Sequence, residues 1–523
     1  MLPLGRLIER NARGLPGRDA YVEMERRRTW LELHERTDAL GYGLRERAVR
    51  PGDRVGVVLR DSIEVAETIG ACAKVGALRV GFNYRLAPPE IGQLIDDAGV
   101  DFVFVQADLT EVATAGVAAA ERTPELIGIG EGHGLDLDYE GLVAEGLKRG
   151  PLVQTPHERL MICYTTGSTG FPKGAIYPHR PMLESMAAIA LSEGAHADDV
   201  WLHAMPASGI PIMHLLRNVF HGSRCVIVGD WSAERALTLI ERERCTITVL
   251  VPTMLNDLLA SGLIPGFDCS SMRQLGYGAA PLPPATIREA MAALGCGFLQ
   301  MYGTTELMGM SMMLMPSDHQ RALAEGHRCL ESAGRPLHFV QTRIVDDEGR
   351  DVGEGEAGEL WIKSDYVIPG YWNQDLQYAE TVHDGWLRTG DIATRDDEGF
   401  IYLKDRAKFR IKSGGFNIFP VEIENCLAEH PAVNEVAVVG LPDARWGERI
   451  HAVITLSGAE RPGGEEFREF CRGKIAKFKI PKTVEIWDHL PKGPTGKIQK
   501  RKIIAFCASR KAGARDQGEA DSP

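Results

Sequence analysis

The apolar run Leu160, Met161, Ile162, Cys163 is followed at once by Tyr164 to Gly174, YTTGSTGFPKG. A buried strand therefore opens into a loop made mostly of threonine, serine and glycine, and the rest of the chain is organised around that junction. Glycines at 167, 170 and 174 can adopt positive φ and let the backbone approach an anion closely, while successive turn amides point inward as a nest. Thr165, Thr166, Ser168 and Thr169 add hydroxyl donors and Lys173 adds a point charge. Such a loop suits phosphate. It is not a Walker loop, because Lys173 is followed by Gly174 and no Gly-Lys-Ser/Thr helix start exists here. On composition alone a flexible Gly/Ser loop is the alternative.

The stretches on either side alternate strand with helix. Thr29 and Glu32 fit a capping box ahead of a helix carrying Leu33, Leu40 and Leu44. Strands are expected over Arg54 to Leu59, Phe102 to Val105, Val200 to Ala204, Arg224 to Val228, Thr246 to Val251, Gln274 to Tyr277 and Phe298 to Met301, with helices such as Ser62 to Val75 and Ala233 to Glu243 between them. Strands separated by helices pair in parallel with right-handed crossovers. The fold class is therefore α/β, a large N-terminal domain of α/β sheets with a small β unit from Gly334 to about Leu403. A small α+β C-terminal domain follows, read from Val421 to Ala428, Val436 to Val439, His451 to Leu456 and Glu465 to Ile475. Lys404 to Gly415 concentrates charge and ends in paired glycines, as a hinge does. The boundaries drawn are 1–405, a hinge at 406–410, 411–508, and a polar tail from Ser509 to Pro523 expected to be disordered.

A chain of 523 residues exceeds the size at which one core stops growing. No window approaches the roughly 20 apolar residues of a membrane span, and the N-terminus lacks the apolar centre of a signal peptide, which points to the cytoplasm. Ten cysteines without a CxxC pair or close Cys/His grouping give no disulfide frame and no zinc site. A formal charge of −13 argues against nucleic acid as a partner. Any polyphosphate must be held by local positive groups. A second copy of the chain is an allowed partner.

The string YTTGSTGFPKG resembles the signature of the adenylate-forming superfamily, which includes acyl-CoA synthetases, peptide-synthetase adenylation domains and beetle luciferases. The resemblance implies that Thr165, Thr166, Gly167, Ser168, Thr169, Gly170 and Lys173 hold the β- and γ-phosphates of ATP. Three further motifs occur in the family's order. Tyr302 to Glu306, YGTTE, resembles the segment supplying an adenine-stacking aromatic, Tyr302, and a Mg²⁺ carboxylate, Glu306, with Gly303 beside them and Thr304 and Thr305 near the α-phosphate. Gly278, Ala279 and Ala280 resemble the segment behind the adenine. In Trp386 to Asp391, WLRTGD, the resemblance makes Asp391 the acceptor of both ribose hydroxyls, joined by Arg406; alone, Asp391 reads as a solvated loop acid. Lys408 falls where the family has the hinge residue of a mobile C-terminal domain, and Ser413, Gly414 and Gly415 where it lines the pantetheine path. Trp446 and Phe478, with Lys479 and Lys482, resemble a surface for the nucleotide end of coenzyme A, or are an ordinary solvated basic face. Lys497, in PKGPTGKIQKR, matches the lysine that reaches the carboxylate and α-phosphate. The implied catalytic set is Lys497, Glu306, Thr305 and Lys408, and the implied cofactors are ATP/AMP, Mg²⁺ and coenzyme A.

Two positions depart from the pattern. Where the family has two bulky residues and a histidine, this chain has Ala207, Ser208 and Gly209, and Phe409 follows the hinge. Losing an aromatic uncovers roughly 150–250 Å², so the acyl pocket is expected to accept a bulky acid. The implied function is an acyl-CoA ligase acting through an acyl-adenylate. The missing histidine opens a second reading, an enzyme that takes a supplied acyl-adenylate with little adenylation of its own, and a carrier-protein-loading enzyme is the third.

Overall fold

The structure is a computed structural model that describes residues 2–165, 172–280, 282–406, 411–413, 416–443, 445–457, 461–472, 474–493 and 498–516. The chain divides into two compact units, Met1–Thr342 with Ile362–Leu387, and Arg343–Trp361 with Arg388–Pro523. The boundary drawn from sequence at 405 thus falls inside the second unit.

The first unit contains two sheets. A seven-stranded sheet orders Leu137–Asp138, Glu125–Ile129, Phe102–Gln106, Arg54–Val58, Leu78–Gly81, Arg159–Thr165 and Lys173–Pro178. All neighbours pair in parallel except the last two, which form an antiparallel hairpin. A nine-stranded sheet orders Arg335–Pro336, Gly309–Leu314, Gly297–Thr304, Gln274–Gly278, Ile247–Leu250, Val200–His203, Arg224–Ile227, Asp19–Glu23 and Arg26–Thr29. Its centre is parallel, and antiparallel strands close both edges. These edges depart from the all-parallel expectation because short connections link Asp19–Glu23 to Arg26–Thr29, Arg159–Thr165 to Lys173–Pro178 and Gly297–Thr304 to Gly309–Leu314.

Helices Leu4–Gly14, Trp30–Glu46, Ile63–Val75 and His179–Ser192 share one core with strands of both sheets, through Tyr21, Trp201, Phe104, Met161 and Met186. The capping box forms as expected, with Thr29 accepting from the Glu32 amide and the Glu32 carboxylate accepting from the Thr29 amide. Helix Ile63–Val75 is buried on every side, so its charged residues must be paired. Glu64 meets Arg26, Glu67 meets Arg28 and Arg36, and Lys74 meets Asp38 at 2.6 Å.

In the second unit, Asp391 to Arg395 pair antiparallel with Ile401–Arg406, turning at Gly399 with φ +81°. A further sheet orders Phe416–Ile418, Ile411–Ser413, Gly447–Leu456 and Val433–Asp443, with Thr483–Ile486 parallel to Gly447–Leu456. Side chains alternate across it: Val438, Ala452 and Ile454 face one core with Ile423 and Phe467, while Ala437, Val439 and Val453 face another with Leu490 and Ile503. A helix runs over Lys500–Asp516, spanning the start of the polar tail at Ser509. Arginine, lysine and alanine after Ser509 are good helix formers. Residues 517–523 lie outside the described residues.

Candidate active site

Thr165 and Lys173 face each other as the last paired residues of the hairpin, so the ladder of Cys163 with Ala175 and Tyr164 with Gly174 fixes both ends of the intervening loop. Thr166, Gly167, Ser168, Thr169 and Gly170, expected to hold phosphate, lie outside the described residues. The Tyr164 hydroxyl donates to Asp97 at 2.5 Å. A segment from Gly370 to Asn373 runs along the outer edge of Lys173–Pro178: the Trp372 amide donates to the Gly174 carbonyl at 2.7 Å, the Ile176 amide to Gly370, and Ala175 bridges Tyr371. This places the Lys173 ammonium over the Tyr371 ring, 4.8 Å from its centroid.

Tyr371 links that sheet to the other. Its hydroxyl donates to Glu306 Oε1 at 2.7 Å, and the Ile368 amide donates to the Glu306 carbonyl at 2.8 Å. Burial first, then the adjacent Glu306 carboxylate, holds the Tyr371 hydroxyl well above the ordinary phenol range, so it stays a donor. A second tyrosine from the hairpin, Tyr177, is fully buried and donates to the Thr305 carbonyl at 2.8 Å. The turn Thr305–Leu307 ends the strand Gly297–Thr304, and Met308 with φ +46° and Gly309 with φ +124° reverse the chain. The Gly303 position admits no side chain: a Cβ there would lie 1.9 Å from the Gly309 carbonyl oxygen. Tyr302 is largely buried beside this turn. Gly278 ends the neighbouring strand, where a Cβ would meet the Met301 carbonyl at 2.3 Å. Ala279 follows with φ +68°, and it and Ala280 are exposed.

Two polar features here face no partner among the described residues. Thr304 Oγ1 is buried without a hydrogen bond, and Tyr371 engages only Oε1 of Glu306. A buried hydroxyl left unpaired is destabilising by about 1–3 kcal/mol, so its natural partner is a ligand group. Carboxylate, hydroxyl and phosphate oxygens form the hard donor set that suits Mg²⁺, and these residues fit that ion.

The Ala207, Ser208 and Gly209 segment follows the strand Val200–His203. Ala207 is held at both peptide groups: its amide donates to Asp61 Oδ1 at 2.7 Å, and its carbonyl accepts from Arg79 Nη2 at 3.3 Å. Arg79 is buried, which pulls its guanidinium down to about 10, and its Nε and Nη1 have no partner among the described residues. His203 Nε2 stands 3.5 Å from Asp61 Oδ2. His214 is buried, and burial holds its imidazole well below its ordinary range. Two surface hollows, of about 530 Å³ beside Ile264 and Phe267 and about 480 Å³ beside Gly130 and His133, touch none of these residues.

The other residues expected at the site fall in the second unit. Asp391 is 6% exposed, within a strand and opposite Arg406 in register, so it is not a solvated loop acid. The Arg406 side chain lies outside the described residues, as do Lys408, Phe409, Gly414, Gly415 and Lys497. Ser413 is paired with Phe416 across its hairpin and with Gly447 on the next strand, immediately after Trp446. Two cations approach the Trp446 ring, Arg445 at 4.7 Å and Lys482 at 5.1 Å from its centroid. Phe478 is exposed and carries Lys479 at 5.8 Å.

Sequence reasoning misses Tyr371, Tyr177, Arg79 and Asp61. The run Pro369-Gly370-Tyr371-Trp372-Asn373 is a visible signal, an aromatic pair within turn residues. Nothing local ties it to Glu306, 65 residues away.

Comparisons with known proteins identify the family. An indoleacetate–CoA ligase of Aromatoleum aromaticum is 34% identical over 530 residues, covering 96% of this chain and 98% of that one. The fatty acid–[acyl-carrier-protein] ligase ScoC of Streptomyces coeruleorubidus is 32% identical over 483 residues, covering 91% of each. Among solved structures, the o-succinylbenzoate CoA synthetase MenE of Bacillus subtilis, in complex with its acyl-adenylate intermediate, matches with TM-score 0.82 at 27% identity, covering 96% of this chain and 98% of that one. The AMP-binding enzyme description matches residues 8–372, and the AMP-binding enzyme C-terminal domain matches residues 422–497. With both parts matched in order around this hairpin and turn, the chain belongs to the AMP-binding enzymes.

Proposed function

We propose that this protein is an ATP-dependent acyl-CoA ligase that activates a bulky carboxylic acid as its acyl-adenylate and passes the acyl group to coenzyme A. The observation that carries the proposal is the linkage of the Thr165/Lys173 hairpin to the Thr304–Glu306 turn through Tyr371 and Tyr177. It sets a cation, a carboxylate and an unpaired hydroxyl at the ends of adjacent sheets.

A carboxylate does not acylate a thiol at neutral pH, because oxide would have to leave. In the first step a carboxylate oxygen attacks the α-phosphorus of ATP in line, the bond to the bridging oxygen of pyrophosphate breaks, and acyl-AMP and pyrophosphate result. Thr165 and Lys173, with the loop between them, hold the departing phosphates. Thr304 and Thr305 orient the α-phosphate, Tyr302 stacks on adenine, and Asp391 and Arg406 take the ribose. Glu306 would hold Mg²⁺, which when bound would supply neutralising charge. Lys497 places its ammonium on the reacting oxygens, an effect worth about two to three orders of magnitude in rate. In the second step the coenzyme A thiolate attacks the acyl carbonyl and AMP leaves. One catalytic face cannot serve both reactions, so the C-terminal domain turns about Lys408 and exchanges Lys497 for Ser413, Gly414 and Gly415. Trp446 with Arg445 and Lys482, together with Phe478, receives the nucleotide end of coenzyme A. The small residues Ala207, Ser208 and Gly209 leave room for a bulky acyl group. Dependence on ATP and coenzyme A suits a cytoplasmic enzyme.

The test is mass spectrometry of products from acetate, propionate, benzoate, indole-3-acetate and o-succinylbenzoate with ATP and either coenzyme A or a carrier protein, scoring acyl-AMP and acyl thioester separately. Acyl-CoA from the aromatic acids is expected. A preference for acetate overturns the bulky-acid assignment, and transfer to carrier protein alone overturns the acceptor. The Lys497→Ala variant is expected to lose acid-dependent pyrophosphate exchange while still converting supplied acyl-AMP to acyl-CoA.

A further inference from the structure

We propose that His451, Glu485 and Cys507 form a zinc-binding site within the second unit. The three residues come from separate elements: His451 from the strand Gly447–Leu456, Glu485 from Thr483–Ile486, and Cys507 from the helix Lys500–Asp516. Parallel pairing of His451 with Thr483 brings the two strands into register, and Cys507 of the helix comes within 3.6 Å of His451. One nitrogen, one sulfur and one carboxylate oxygen all fall within 4.8 Å of one another.

The spacing is close to that of a loaded site. Zinc bonds of about 2.3 Å to sulfur and about 2.0–2.1 Å to nitrogen and oxygen, at tetrahedral angles, put ligand atoms about 3.4–3.6 Å apart. His451 Nε2 is 3.6 Å from Cys507 Sγ and 4.0 Å from Glu485 Oε1. Small side-chain rotations close the remainder. The surroundings orient the ligands as outer partners of metal sites do. His451 Nδ1 is engaged by Thr483 Oγ1 at 2.7 Å, which presents Nε2 to the site. Glu485 Oε2 accepts from Trp487 Nε1 at 2.9 Å and lies 3.4 Å from Arg510, leaving Oε1 for the ion. Among the described residues, Arg510 and Arg449 are the cations facing the cluster. The first is engaged with the outer oxygen, and the charge of thiolate plus carboxylate offsets both.

Nitrogen, thiolate and carboxylate together select zinc over magnesium or calcium. Binding releases the Cys507 proton to solvent and forms the S–Zn bond with no redox change. Three protein ligands leave the fourth position to water. The ion would fasten the C-terminal helix, which follows the Lys497 segment, to the sheet.

The experiment uses the full chain freed of metal by chelator and titrated with Co²⁺. One equivalent is expected to produce thiolate-to-cobalt charge-transfer absorption, which Zn²⁺ then displaces. Cys507→Ser is expected to abolish that absorption, and Glu485→Gln to weaken binding by at least about tenfold. On the unmutated chain, Zn²⁺ is expected to protect Cys507 from iodoacetamide, mapped by mass spectrometry. Absence of the absorption, its persistence in Cys507→Ser, or alkylation of Cys507 unchanged by Zn²⁺ would each overturn the proposal.

Discussion

Replacing Tyr371 by phenylalanine removes a single oxygen and leaves the ring under Lys173. The lost bond is short, 2.7 Å, and its acceptor is a carboxylate. Hydrogen bonds to charged groups contribute about 1.5–3 kcal/mol, and removing a partner that orients a metal-binding carboxylate lowers metal affinity or activity by about 10–100-fold. The two ranges agree, since about 1.4 kcal/mol is a factor of ten. Acid-dependent exchange between ATP and labelled pyrophosphate, measured as Mg²⁺ is varied, should therefore show a midpoint raised by about 10–100-fold. Exchange should partly recover at saturating Mg²⁺, because Glu306 itself is retained. The matched control is Tyr177→Phe. It deletes a bond of similar length to the neutral Thr305 carbonyl, should lower stability by only about 0.5–1.5 kcal/mol, and should leave the Mg²⁺ midpoint in place. If Tyr371→Phe melts normally with an unchanged midpoint, or if both variants shift it equally, Glu306 is not the carboxylate that matters.

Three other perturbations have defined outcomes. Gly209→Leu is sterically open at Cβ, whose nearest neighbours would be Cys163 Sγ at 3.9 Å and Pro211 at 4.0 Å; turnover of indole-3-acetate relative to acetate should drop by about 10–200-fold, and an unchanged ratio would remove the segment from the acyl pocket. Gly81→Ala would set a methyl 2.3 Å from the Ser208 carbonyl and 2.7 Å from Arg79 Nη1, which should lower stability by about 1–3 kcal/mol and alter the acid preference, read by urea unfolding and the same substrate pair. Burial lowers His179 and His319 to about 4, so between that value and the ordinary 6.5 the unfolded chain binds more protons than the folded one. Stability is then full above pH 6.5 and falls as pH drops toward 4. From pH 7 to pH 5 the loss is about 2 kcal/mol for each histidine, and His319→Gln should flatten its share of the urea-midpoint slope.

The sequence displayed the strand and helix rhythm because buried strands and amphipathic helices carry their periods locally. The helical stretch expected from Ser62 to Val75, found as Ile63–Val75, and the Thr29/Glu32 box are local signals of that kind. The division into two sheets was not visible, since no period distinguishes a strand of one sheet from a strand of another. It depends on which helix faces which, and the fully buried Ile63–Val75 shows its central place only once packed. The strand Gly297–Thr304 runs through Tyr302 and Gly303, past the expected end at Met301, because Gly309–Leu314 returns beside it and pairs with these residues. In the candidate site, Glu306, Lys173 and Thr304 were legible as chemistry. Tyr371 and Tyr177 were not, because an aromatic residue acquires a role there only through the carboxylate or carbonyl that folding brings to its hydroxyl.

The Ala207 to Gly209 segment shows how a gap in a pattern can still be rigid. Small side chains widen the space beside them, but a backbone without bulky anchors has little to fix it, and a wandering loop would leave the acid poorly aligned for attack. Here the anchoring comes from below. Asp61 accepts from the Ala207 amide and Arg79 donates to its carbonyl, so two buried, opposite charges hold the two sides of one residue. Arg79, pulled down only to about 10, is still a cation at neutral pH, and Asp61 is among the charges that favour that state. Buried charges of this kind add little net stability but are strongly destabilising when one partner is lost. Their contribution here is position. In the proposed acyl pocket, width would come from the side chains that are missing and alignment from the charges buried underneath, so a lining of alanine, serine and glycine would be both roomy and well defined.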